Sequence, residues 1–249
     1  MRYGQHYRED RARAEKQLLM LSLTPAELDA LRLSLAIALR SVAFSLPLAV
    51  LVAYLLARSR FPGTLALDAL VHLPLVLPPV AVGYLLLVSL DSRSAAGRWL
   101  LAHFGIELPF TTGGAALATA VMTFPLMVRA IRLALESVDR GLEAAARTLG
   151  AGPVDRFLSI TLPLMLPGIL AGLLTAFAAG LGQFGAVITF ASNVPGVTRT
   201  LPLALYTAIQ KPGGEAAAMR LAVLSIVLGL LGLVLAELLA RRVYRLLGR

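Results

Sequence analysis

The chain has 249 residues, 58% of them hydrophobic and 15% charged, with a mean hydropathy of +0.79. A soluble domain carries about 25% charged residues, so the composition excludes an ordinary soluble enzyme and points to a polytopic membrane protein. The formal charge of +9 is read as arginine in cytoplasmic loops rather than as a nucleic-acid surface. With no cysteine and three scattered histidines (His6, His72, His103), no disulfide, thiolate, metal centre or cofactor is expected.

The N-terminal tail carries Arg2, Arg8, Arg11, Arg13 and Lys16 and no apolar run. Residues 1–20 are expected to be disordered or a spurious extension, since Met20 opens an ordinary lead into the first span. The tail lacks the h-region and cleavage site of a secretory signal. In that lead, Thr24 and Pro25 have the pattern of a helix cap and first position, with Glu27 following.

Five apolar runs follow: Leu31–Ala57, Leu65–Leu90, Ala115–Leu135, Leu164–Ala191 and Leu221–Ala240. Each is long enough to cross the hydrocarbon core as a helix. LPLALYTAIQ, from Leu201, is too short to span and is expected to be re-entrant or interfacial. The first four runs contain Pro47, Pro74, Pro78, Pro79, Pro125 and Pro167. Proline removes a backbone donor and kinks a helix, and neighbouring helices or water can satisfy the freed carbonyl.

Orientation follows from arginine. Arg58 and Arg60 follow the first run; Arg129, Arg132, Arg140, Arg147 and Arg156 surround the end of the third; the chain closes ARRVYRLLGR. Placing these inside puts the loops 91–112 and 192–220 outside, the N-terminus out and the C-terminus in the cytoplasm.

Between the third and fourth runs, Val138 to Gly150 has helical spacing. Asp139 can cap it, Leu142, Ala145 or Ala146 and Leu149 share a face, Glu143 and Arg147 form an i,i+4 pair, and Gly150, Gly152 and Pro153 stop it. Such a small-faced helix can lie in a partner's groove or rest on lipid headgroups. Glu143-Ala144-Ala145, Gly150 and Ile160-x-Leu162-Pro163 resemble the EAA loop of the membrane subunits of bacterial binding-protein-dependent ABC importers. That resemblance implies an all-α integral membrane permease of the type I importer class, with five spans and a cytoplasmic coupling helix. It implies that Glu143, Ala144, Ala145 and Gly150 meet a separate ABC ATPase subunit; the chain has no phosphate-binding G-x-x-x-x-G-K-[ST] loop.

HLPLVLPPVAVGYLLL (from His72), TFPLMVRAIRLALE (from Thr123), TLPLMLPGILAG (from Thr161), FGAVITFASNVPGVTRTLPLALYTAIQ (from Phe184) and PGGE (from Pro212) are similar to the molybdate permease family, with sulfate/thiosulfate permeases as the nearest alternative. The likeness implies one permease domain, residues 21–246, in a homodimer fed by an extracytoplasmic molybdate-binding protein. Tungstate import is a further alternative. A secondary transporter would show two matching halves, and a membrane enzyme would need clustered His, Asp or Glu within the spans.

A dianion's path should offer donors and avoid carboxylates. Arg40, within the first span, is a path candidate because an intramembrane charge is costly; the alternative is snorkelling or pairing at a helix interface. Arg129 is a candidate near the inner end of the third span, alongside Arg132, which can pair with Glu136. Gln183, Thr189, Ser192 and Asn193 are neutral donors at the outer end of the fourth run that could line a gate or cap the helix end. Gln183 stands where many relatives carry Glu. Asp68 and His72 are expected to pair on one face of the second run.

Overall fold

A computed structural model describes residues 23–59 and 62–246, and among them every regular element is helical. The expectation for residues 1–20 lies outside the described residues.

The first helix, α1, runs Pro25–Arg58. Its start is the expected one, with Pro25 in the first turn. Glu27 N donates to Thr24 Oγ1 (3.3 Å), and Thr24 N donates to Glu27 Oε2 (2.8 Å). This reciprocal box satisfies two donors that a helix start leaves orphaned.

The second apolar run departs from expectation. Leu65–Leu90 is not one span but two helices, α2 (Thr64–Val76) and α3 (Pro79–Leu90), bent by 115°. Pro78 and Pro79 are the cause. Proline pushes the preceding residue out of the helical region, and Leu77 and Pro78 are extended, with ψ of 144° and 133°. Pro74, with a helical neighbour before it, stays inside α2.

A short helix, α4 (Ala95–Phe104), follows, with Gly97 N donating to Ser94 Oγ at its start. Next comes α5 (Thr112–Glu136), then α6 (Arg140–Thr148) and α7 (Pro153–Leu181), which contains one π turn at Phe157–Thr161. The fourth apolar run also departs from expectation: the helix stops at Leu181, and residues 185–190 form a separate helix, α8 (Gly185–Phe190). Two glycines permit this: Gly182 ends α7, and Gly185 lies so close to α3 that a methyl there would stand 2.8 Å from Pro79 Cβ. The chain continues through α9 (Leu201–Ile209) to α10 (Glu215–Leu246). At nine residues α9 cannot span, as its length implied.

Four helices, α1, α5, α7 and α10, are long and apolar enough to cross a membrane, and the bent α2–α3 pair makes a fifth if counted as one crossing. The bundle is built on α5, which packs against α1 and α7. Gly168, Gly172, Ala176 and Gly180 recur every fourth residue on the buried face of α7. Close approach through small residues is how helices associate where lipid removes the hydrophobic drive. A methyl at Gly168 would overlap Ala134 of α5. Gly168→Val should therefore cost about 1–3 kcal/mol by overpacking, read as a lower melting temperature of the detergent-solubilised protein; unchanged melting would remove this contact from the packing account.

At the end of the bundle opposite α6, Glu27 is buried and accepts two bonds at Oε1 from Arg220 of α10, at 3.1 and 2.9 Å. Between them α9 is held to α1 by Leu201 N donating to Ser34 Oγ (2.7 Å). Most of the outer face of α10 is unburied, with Val223, Ile226, Leu230 and Val234 exposed. Such a surface suits lipid or another apolar helix.

Candidate functional site: a surface helix pinned to two spans

The segment between α5 and α7 folds as its sequence predicts. Gly141 N donates to Asp139 Oδ1 (2.8 Å) at the start of α6, and Gly150, four residues beyond Ala146, takes a φ of +87°. Only glycine adopts that left-handed geometry without strain. None of the residues of α6 is buried. Ala144 and Ala145 are exposed, Leu142 is 48% exposed and Leu149 88%. A nine-residue helix that, with Leu149 just past its end, presents two leucines and two alanines outward buries too little to be held by its own packing.

One residue of α6 turns the other way. Glu143 does not pair with Arg147, contrary to the i,i+4 expectation. Its Oε1 accepts from Arg58 Nη2 of α1 (3.0 Å) and from Thr161 Oγ1 in the π turn of α7 (2.8 Å). The reason is competition: Arg147 offers a solvated surface pair worth a few tenths of a kcal/mol, whereas the Arg58 side chain is 10% exposed and its charge needs a partner. Arg58 and Glu143 are 85 residues apart, and no local periodicity announces the pair. Sequence reasoning placed Arg58 only as a loop marker.

A second polar cluster lies between α2 and α5. Asp68 and His72 meet as expected, with His72 Nδ1 at 3.4 Å from Asp68 Oδ1, and Arg132 pairs with Glu136 at 2.8 Å. The two pairs are joined, because Arg132 Nη1 also donates to Asp68 Oδ1 (3.0 Å). Arg129, one turn away, is exposed and has no hydrogen bond or ion pair among the described residues.

The remaining path candidates divide. Arg40, near the middle of α1, is exposed and also lacks a hydrogen-bond or ion-pair partner among the described residues. Gln183 is half-buried in the break between α7 and α8, with no hydrogen-bond partner for its side-chain amide among the described residues. Its neighbours meet other elements: the Phe184 ring meets Tyr206 of α9 at a tilt, with centroids 5.1 Å apart, and Gly185 abuts Pro79 at the α2–α3 bend. The two helix breaks therefore converge beside Gln183. Thr189 donates to Gly185 O (2.9 Å) and lies close to Gly83 of α3. Asn193 is occupied: its Nδ2 donates to Thr207 Oγ1 (2.7 Å) and its Oδ1 accepts from Arg199 Nε (2.8 Å). Ser192 has a φ of +63° and its carbonyl accepts from Thr198 Oγ1. Ser192 and Asn193 thus shape the turn after α8, and Thr189 bonds back within α8.

Comparison with known proteins agrees with this arrangement. Residues 45–245 match the family described as binding-protein-dependent transport system inner membrane component. The molybdenum transport system permease protein ModB of Escherichia coli (strain K12) is 58% identical over 219 residues, covering 88% of this chain and 96% of that protein. The sulfate transport system permease protein CysT of Salmonella typhimurium is 36% identical over 187 residues, covering 75% of this chain and 67% of that one. A solved bacterial ABC transporter involved in the import of alginate superposes with a TM-score of 0.73 at 18% identity, covering 91% of this chain and 83% of that chain. A helical bundle with four or five crossings, a pinned surface helix and near-full-length likeness agree: the chain belongs to the multi-pass inner membrane components of binding-protein-dependent transport systems, within the group of molybdenum transport permeases.

Proposed function

We propose that this chain is the permease subunit of an ATP-driven importer that carries molybdate across the cytoplasmic membrane by alternating access. The observation that carries this reading is the 58% identity to a molybdenum permease along nearly the whole chain, set against 36% to a sulfate permease. The direct test is ATP-dependent uptake of labelled molybdate with sulfate in competition.

The permease works as a homodimer, with two ATPase subunits and an extracytoplasmic molybdate-binding protein. Arg40 supports the dimer. A cation near the middle of a span is too costly to face lipid, yet Arg40 is exposed on the isolated subunit and has no partner among the described residues. A second copy, or a water-filled path between copies, gives it a favourable environment. ATP closes the ATPase pair, α6 of each copy moves with it, and the spans change access; hydrolysis resets them. The two states must differ in their contacts, since a ligand shifts an equilibrium only through differential affinity.

The arginine distribution supports α6 and the C-terminus in the cytoplasm and the N-terminus outside. The sequence lacks cysteine, which makes labelling simple. A cysteine replacing Lys211 is expected to react with an impermeant maleimide from outside intact cells, and one replacing Leu149 only after permeabilisation. The reverse pattern would invert the topology.

Gln183 is the path residue best supported, as an amide with no partner among the described residues where two broken helices meet. Broken helices are where transporters expose backbone and side-chain groups to their ions. A carboxylate about 4 Å from an anion repels it by ~1 kcal/mol even at the dielectric of water. Gln183→Glu introduces that charge beside the path, at a position where many relatives carry Glu, and is expected to change the uptake rate about threefold or more; unchanged kinetics would move Gln183 to a packing role.

A further inference from the structure

We propose that α4, the short helix between the bent pair and α5, is an interfacial foot. It lies in the headgroup–acyl boundary at the end of the bundle opposite α6 and takes lipid, not a protein, on its aromatic face. This goes beyond the transport reading and rests only on α3 and α5 belonging to membrane crossings. At ten residues α4 cannot span. Residues 91–94 join it to α3 and residues 105–111 to α5. These short tethers confine it to the depth at which its two neighbours leave the hydrocarbon.

Three observations point to lipid. The Trp99 ring centroid lies 5.1 Å from that of His103 and 5.5 Å, edge-on, from that of Phe104, yet Trp99 is 54% exposed and Phe104 61%. The indole N–H has no hydrogen-bond partner among the described residues. A large apolar ring with one free donor suits a boundary that has hydrocarbon on one side and headgroup oxygens on the other. The helix is also two-sided. At helical spacing Leu100 and Phe104 share one side, and Arg98 and Ala102 lie on the opposite one. Arg98 Nη1 donates to Arg93 O (2.9 Å) and meets no carboxylate among the described residues. An apolar face with a cation across from it is the pattern of a helix that lies in the interface plane. Finally, the exposed surface continues that of a crossing. Val80, Tyr84 and Val88 form one ridge of α3, each more than half exposed, and the chain passes from that ridge directly into α4. The other segment at this end folds onto the bundle, with Thr198, Leu201 and Leu203 buried. On α4 only Gly97 is buried, where a methyl would overlap the Asp91 carbonyl. The helix is thus braced against the end of α3 while its aromatic face is left uncovered by the described residues.

Trp99 is the one tryptophan in the sequence, so its fluorescence reads α4 directly. The full-length permease is reconstituted in phosphatidylcholine nanodiscs whose acyl chains carry bromine either near the headgroup or near the bilayer centre. An interfacial helix sits about 5–10 Å into the headgroup–acyl boundary, so the shallow bromine is expected to quench Trp99 at least about twofold more than the deep one, with little quenching by aqueous iodide. Phe104→Asp changes an exposed position and keeps the reporter. It is expected to shift Trp99 emission to the red and to cut the shallow quenching by about half or more. In proteoliposomes holding the complete complex, the same variant is expected to bind the extracytoplasmic binding protein within about twofold of the parent. Quenching by iodide and not by lipid would overturn the proposal and put α4 in water. Shielding from both would overturn it in favour of a second copy of the chain, and deep quenching equal to or above the shallow would place the helix inside the hydrocarbon. Lost affinity for the binding protein in Phe104→Asp would make α4 a protein-docking surface instead. Lipid is present in both leaflets, so none of these readings depends on which end of the bundle faces out; the topology fails separately, in the cysteine labelling at Lys211 and Leu149.

Discussion

Purified with its ATPase, a permease carrying Ala145→Trp is expected to lose that subunit by about tenfold or more, a change of ~1.4 kcal/mol in binding, and to lose uptake with it. Ala145 is exposed on the side of α6 away from Glu143, so an indole there meets nothing in the chain itself. The permease should assemble and melt as the parent does. The effect arises at the partner: a small-residue face permits close approach in a groove, and a bulky side chain at the centre of a well-packed contact disturbs its most valuable part. Leu142 and Leu149 flank this face and remain free to bury. Quantitative co-purification is the measurement. Full retention of the ATPase would place the docking surface elsewhere.

The second large effect concerns stability at the other end of the bundle. Glu27→Ala should lower the melting temperature of the solubilised chain by several degrees, reflecting ~2 kcal/mol or more. Glu27 is 6% exposed at its side chain and Arg220 21%, so the substitution strands a mostly buried cation. It also removes Glu27 Oε2 from Thr24 N and with it half of the capping box. Glu27→Ala/Arg220→Ala should cost less than the sum of the single changes, because the second substitution removes the stranded charge. Additivity would mean that the pair contributes no coupling.

Much of this architecture is legible in sequence, for identifiable reasons. Apolar runs marked α1, α5, α7 and α10 because a bilayer sets a minimum length that few soluble segments meet. Thr24-Pro25-x-Glu27 marked the start of α1, and Asp139 with Gly150 bounded α6, because caps are local chemistry within four residues. Hydropathy is blind to direction, and this is why Leu65–Leu90 read as one span: both helices of the bent pair are apolar, and only consecutive Pro78 and Pro79 signalled the break. The end of α7 was hidden likewise, since α8 is as apolar as α7 and Gly182 and Gly185 look like ordinary membrane glycines.

The functional residues followed the same division. Arg132 with Glu136 and Asp68 with His72 were visible at helical spacing, but the bond that joins them spans 64 positions. Glu143 was found by its motif and given Arg147 as a partner. Its actual partners, Arg58 and Thr161, depend on how α1 and α7 converge on α6. Arg40 and Gln183 stand out equally in sequence and structure, because a polar group in an apolar run is costly and neither finds a partner among the described residues.

The most direct test of the central claim is uptake of radiolabelled molybdate into proteoliposomes holding this permease, its ATPase and its binding protein, with excess sulfate in a parallel sample. ATP-dependent uptake that persists in excess sulfate is the predicted result. Uptake abolished by equimolar sulfate would contradict the molybdate assignment and make the chain a sulfate-type permease, with its fold and its coupling helix unchanged.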